Sequence, residues 1–203
     1  MEDCTILDLA FKGERNYLRA GDIHTALVKL AWDRFGPQAE VNSLTIRRPF
    51  RHAIQVSFEP SAEFSGSFRV RHDAESIPGW LRDTGNPVAR RIPYDTSPLP
   101  AAAVSGPGFA RIMEPLPGFA ALDTVVCMSK LVAQQTSPRH WWLCRLNLDS
   151  PLTETCPIEV RMLQNLGGQF LVLEIVQGGL AIGTLHCILD GANCKEAAHG
   201  PTN

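Results

Sequence analysis

Lysine is scarce in this 203-residue sequence: Lys12, Lys29, Lys130 and Lys195 are the only four among 19 basic residues. Positive charge therefore rests on arginine, whose planar guanidinium suits carboxylate and phosphate contacts. The formal net charge of −2 leaves no basic excess for nucleic acid, and none is expected as a partner. No apolar run approaches the roughly 18 residues that a membrane-spanning helix needs, so no membrane span is expected. The first residues are acidic and lead into a short apolar run, without the basic start and long apolar core of a signal peptide. Six cysteines (Cys4, Cys127, Cys144, Cys156, Cys187, Cys194) are scattered, with no Cys-x-x-Cys and no histidine spacing that fits zinc. Cys127, Cys144 and Cys187 sit in apolar runs and read as reduced, packed thiols, which points to the cytoplasm and to no metal. A phosphate-cradling glycine loop, a Gly-x-Ser-x-Gly elbow and a dinucleotide fingerprint are also missing, and no cofactor is expected. Ser105-Gly-Pro-Gly108 is broken by proline and followed by a strand pattern, so it reads as a turn.

What is present describes a globular chain, 44% apolar and 20% charged, able to bury one large core or two small ones. Its most informative stretch is Pro115 to Gln135. There Pro-Leu-Pro-Gly leads to a lone carboxylate, Asp123, and then to Leu122, Val125, Val126, Met128, Leu131 and Val132 at the spacing of a buried helix. The spacing predicts a helix over 118–135, followed by strands over 139–148, 156–163, 169–176 and 180–189. The last three are separated by the glycine turns Asn165–Gly168 and Gln177–Gly179. Upstream, a strand is predicted over 5–11, a helix over 23–35 capped by Asp22 and stopped by Gly36-Pro37, and strands over 41–48, 52–59 and 65–72. Short strands are expected over 99–104 and 108–113.

The two halves thus have the same order of elements: strand, helix, meander. This implies an N-terminal unit over 1–75, a linker or lid loop over 76–98 rich in proline and glycine, a C-terminal unit over 99–190 and a tail over 191–203. Aligning the helix starts pairs His24 with Asp123.

The string from Pro117-Gly118-Phe119 to Asp123 resembles the helix entry of the β-hydroxyacyl thioester dehydratases, the FabA/FabZ-like hot-dog family, over roughly residues 108–190. The resemblance implies an α+β fold, a double hot-dog, in which each unit wraps an antiparallel sheet around a central helix. It further implies an acyl thioester of coenzyme A or acyl-carrier protein as partner, bound in a groove between the units. Pro117, Gly118 and Phe119 would lie against the substrate, and amides at the helix start would polarise its carbonyl. In the family a histidine from the preceding loop works with the helix carboxylate, yet Gly106–Met113 contains no histidine.

Asp123 is therefore the candidate acid, and His24 the first candidate base, supplied by the other unit. His140, beside Trp141 and Trp142, is the second. Arg47 and Arg48, with Arg51 and His52, form the one compact basic cluster and are candidates for the phosphates of the carrier. An acyl-thioester hydrolase using Asp123 alone, and a non-catalytic acyl-binding or protein-binding module, stand as alternatives. Two such chains could pair as a homodimer.

Overall fold

The computed structural model describes residues 4–60 and 63–190. The chain divides into two compact units, Met1–Asp95 and Thr96–Asn203.

The first unit runs β1 (Cys4–Ile6), β2 (Phe11–Lys12), α1 (Ala20–Phe35), β3 (Glu40–Ile46), β4 (His52–Ser57), β5 (Gly66–His72), β6 (Glu75–Pro87) and β7 (Arg91–Ile92). Its strands pair antiparallel in the order β1-β4-β6-β5-β3, and β2 and β7 form a small parallel pair. Ile23, Leu27 and Ala31 recur every fourth residue of α1 and are buried, so this stripe is the helix's core face. The alternation of β3 to β5 turns Leu44, Ile54, Val56, Phe68 and Val70 inward.

The second unit runs α2 (Pro98–Ala102), β8 (Val104–Gly106), β9 (Phe109–Ile112), α3 (Ala121–Thr136), β10 (Trp141–Leu148), β11 (Ile158–Leu166), β12 (Phe170–Gln177) and β13 (Leu180–Leu189). Its antiparallel order is β10-β13-β12-β11-β9-β8. α3 packs on β11, β9, β10, β12 and β13. Val125, Met128, Val132 and Ala133 of α3 are inaccessible to solvent, as are Val160, Leu171, Leu173 and Leu185 of the sheet. The β11–β12 and β12–β13 hairpins turn on Gly167-Gly168 and Gly178-Gly179, each with positive φ at both positions, the geometry of a two-residue turn that matches strand twist.

Four expectations are corrected. The segment over 76–98, read as a linker or lid, is largely β6, a 13-residue strand held on both sides. Pro78 is tolerated there because β4 ends at the Ser57–Trp80 pair, so no neighbour on that side needs its missing N–H. Gly79 is required because the Phe68 ring lies over it: a Cβ would sit 2.2 Å from Phe68 Cζ. The strand over 5–11 is split into β1 and β2. Helix α1 begins at Ala20, so Asp22 lies in its first turn, paired with Lys12 at 2.6 Å, rather than capping it. The strand over 99–104 is mostly the short helix α2, which proline favours at its first turn. The tail over 191–203 lies outside the described residues.

Candidate functional site

In the second unit, the start of α3 is shaped by a tight turn. Phe119 N–H donates to Leu116 O at 3.2 Å, and Gly118 takes φ +83°. Pro117 and Gly118 are thus the second and third residues of a type II turn, the residues that this turn prefers. The chain emerges from it directly into α3, which accounts for the helix starting at Ala121 rather than 118. Asp123 is the third helical residue and is 5% exposed, a buried carboxyl group in the first turn of the helix.

The capping residue is Ala120, which offers no side-chain acceptor. The carboxylate of Glu154 fills the role from the β10–β11 loop: Ala121 N–H donates to Glu154 Oε1 at 3.1 Å. That loop is itself held by Gln177, the last residue of β12. Gln177 Nε2 donates to Thr153 O at 2.7 Å and Thr155 O at 2.6 Å, while its Oε1 accepts Thr153 N–H at 3.1 Å. Neighbouring Cys156 has its thiol pushed up by burial, and the charges of Glu154 and Glu114 add to the effect, so it stays protonated and a poor nucleophile. Sequence patterning gave no sign of Glu154 or Gln177. The one clue was Ala120 itself, a residue unable to cap the helix it precedes.

Pro117, Gly118, Phe119 and Asp123 therefore gather at one helix start. His24, Arg47 and Arg48 belong to the first unit. His24 is half-buried in α1, and its Nε2 lies 3.1 Å from Val41 O. Since a carbonyl only accepts, Nε2 carries the proton and Nδ1 the lone pair. Burial pushes the imidazole below its ordinary value, a shift the Val41 bond only partly offsets, so the ring is neutral. Within their own helices, Asp22 is the third residue of α1 and Asp123 the third of α3. Helix register thus pairs Asp123 with Asp22, and His24 falls two places later than the sequence alignment expects. His140 stacks edge-on against Trp142, with ring centroids 4.4 Å apart. Arg47 and Arg48 are exposed in the β3–β4 turn.

No group of His, Cys, Asp and Glu among the described residues is arranged to hold a metal ion. No described helix is long and apolar enough to cross a membrane.

No family model matches this sequence, and no curated protein matches it. Solved structures do. The dehydratase domain of PpsC from Mycobacterium tuberculosis, in complex with C12:1-CoA, aligns over 92% of each chain with 13% identity and a TM-score of 0.50. The pyran synthase domain from module nine of the sorangicin pathway aligns over 93% of each chain with 11% identity and a TM-score of 0.50. The chain has the hot-dog fold. At these identities the likeness speaks for the fold alone, and the chemistry has to be argued from this chain's own residues.

Proposed function

We propose that this chain is a double hot-dog acting on an acyl thioester of coenzyme A or acyl-carrier protein in a groove between its units, by dehydratase- or hydratase-like chemistry. The observation that carries the reading is Asp123, a buried carboxylate in the first turn of α3 directly behind the Pro117-Gly118 turn. It stands on a fold shared with a dehydratase domain solved with an acyl-CoA.

In this reading Pro117, Gly118 and Phe119 line the acyl end, and His24 Nδ1 takes the α-proton of a 3-hydroxyacyl thioester. The electron pair passes into the thioester carbonyl and returns as the α,β double bond. As the C–O bond breaks, the Asp123 carboxyl, which enters the cycle protonated, gives its proton to the departing hydroxyl. Water leaves, and the proton taken up by His24 is returned to Asp123 before the next turnover. A neutral His24 is in the right state to begin this sequence.

The absence of histidine from Gly106–Met113 supports a second reading, in which Asp123 acts without a histidine as the base of a hydrolase, or the groove holds an acyl ligand without turnover. Mass spectrometry of the protein incubated with acyl-, 3-hydroxyacyl- and enoyl-CoA esters separates them, with Asp123→Asn as control. Water gained or lost by the wild type alone supports the dehydratase reading. Release of free CoA supports the hydrolase. An ester retained but unchanged sinks both and leaves the binding module.

A further inference from the structure

The turn between β3 and β4 carries Arg47, Arg48 and Arg51, all exposed, within five residues. Its centre is fixed. Phe50 is 1% exposed, its carbonyl accepts Leu18 N–H at 2.8 Å, and Arg47 N–H donates to Ser65 O at 3.0 Å. With Phe50 anchored in the core, the flanking arginines are held at the surface. Two of them are also oriented. The Arg47 guanidinium lies over the Phe64 ring, 3.9 Å from its centroid, and Arg48 Nη2 donates to Ser65 Oγ at 3.3 Å. Ser65 is itself buried and fastened through its N–H to Leu81 O at 2.8 Å.

In the first unit Arg71 pairs with Glu40 and Arg90 with Asp8, whereas Arg69, Arg82 and Arg91 hydrogen-bond to neutral oxygens. The arginines of this turn belong with the second group. No carboxylate among the described residues pairs with Arg47, Arg48 or Arg51; Asp83 is taken by His52 Nδ1 at 2.9 Å, and Glu63 forms no ion pair. An aromatic face and a hydroxyl orient a guanidinium without cancelling its charge. Guanidinium groups oriented in this way with their charge uncancelled favour an anion.

We propose that the β3–β4 turn is a phosphate clamp, in which Arg47 and Arg48 grip a phosphate ester and Phe64 and Ser65 are its positioning residues. A phosphate has acceptor oxygens enough for two guanidinium forks, which makes it the fitting anion. The clamp deepens the thioester reading, and rests on it only for the identity of the phosphate's bearer. Coenzyme A and the prosthetic arm of a carrier protein both bring such a group.

The test is NMR titration of the arginine Nε–H resonances with adenosine 3′,5′-bisphosphate, 4′-phosphopantetheine and plain adenosine. Arg47 and Arg48 should shift with a phosphate ester and not with adenosine, and binding should weaken as salt rises. The ester that binds more tightly names the bearer. Arg47→Gln with Arg48→Gln should weaken binding by about tenfold or more, the worth of one charge-assisted bond. Phe64→Leu, which removes no charge, should weaken it by a smaller factor. Equal response to adenosine, or undiminished binding by the double variant, overturns the clamp. Turnover of N-acetylcysteamine thioesters, which carry no phosphate, tests the thioester reading separately. It should occur in the wild type and be lost in Asp123→Asn, whatever the phosphate titration shows.

Discussion

Glu154 Oε1 accepts the N–H of Ala121 at 3.1 Å across 33 residues of sequence, so helix α3 receives its cap from another loop. Such a cap is worth about 1 kcal/mol, and Glu154→Ala should lower the unfolding free energy by roughly that amount. Gln177→Ala should match or exceed it, since it releases three bonds that hold the loop in place. Urea unfolding measures both. Hydrogen exchange at the Ala121 amide should quicken in each variant; unchanged exchange would mean that the cap is not formed in solution.

A second carboxylate is buried on the sheet. Glu159 is 5% exposed on β11 and is bound by Arg111 from β9 and by Arg161 from its own strand. Burial alone would push its carboxyl up, but hydrogen bonds from Arg161 and Arg111, together with their charges, hold it below the ordinary 4.5. A lowered value stabilises the fold above the unfolded pKa, and the benefit is lost as pH falls through the folded one. Glu159→Gln should therefore cost roughly 1 kcal/mol at pH 7, a modest figure because both arginines are partly in water. The gap from wild type should shrink as pH drops below 4.5. A gap that persists unchanged at pH 3 would sink the electrostatic account.

β11, β12 and β13 were legible because glycine pairs, Gly167-Gly168 and Gly178-Gly179, separate three apolar-rich runs. β6 was not. Pro78 and Gly79 look like loop residues until the ladder shows that β4 has ended beside the one and that Phe68 covers the other. The site divides the same way. Asp123 could be read because the Pro117-Gly118 turn that presents it is local in sequence. Glu154 and Gln177 act across the sheet's connections, where no periodicity records them. Asp22 was misread as a cap because an acidic residue suits the first helical turn as well as the position before it.

Cys187 illustrates a thiol whose environment makes it inert. Burial pushes it up to about 12, even though the Ser129 hydroxyl and the Lys130 charge pull the other way. Iodoacetamide at pH 8 should leave Cys187 unlabelled in the native protein and label it after unfolding, as peptide mapping would show. The unfolded thiol ionises near its ordinary 9 while the folded one keeps its proton, so stability should decline as pH rises from about 9 toward 12. Native labelling as fast as that of half-buried Cys4 would contradict the burial.

His24 joins stability to the proposed chemistry, and the two can be pulled apart. Its imidazole is lowered by burial, so below 6.5 the unfolded chain takes up a proton that the folded chain refuses. Stability conferred by the fold is then lost as pH falls below 6.5, until the folded ring also protonates. His186 is lowered in the same sense, by burial and by Arg145, and must be kept in both proteins compared. His24→Gln retains a neutral donor for Val41 O but cannot titrate, so its stability should vary less between pH 7 and 5 than that of wild type. A merely structural histidine would show this and nothing more. A general base would also lose turnover of 3-hydroxyacyl thioesters at pH 7 to 8, where the variant stays folded, by roughly two to four orders of magnitude. Wild-type turnover by a stable His24→Gln protein would remove His24 from the reaction and leave Asp123 to act without it.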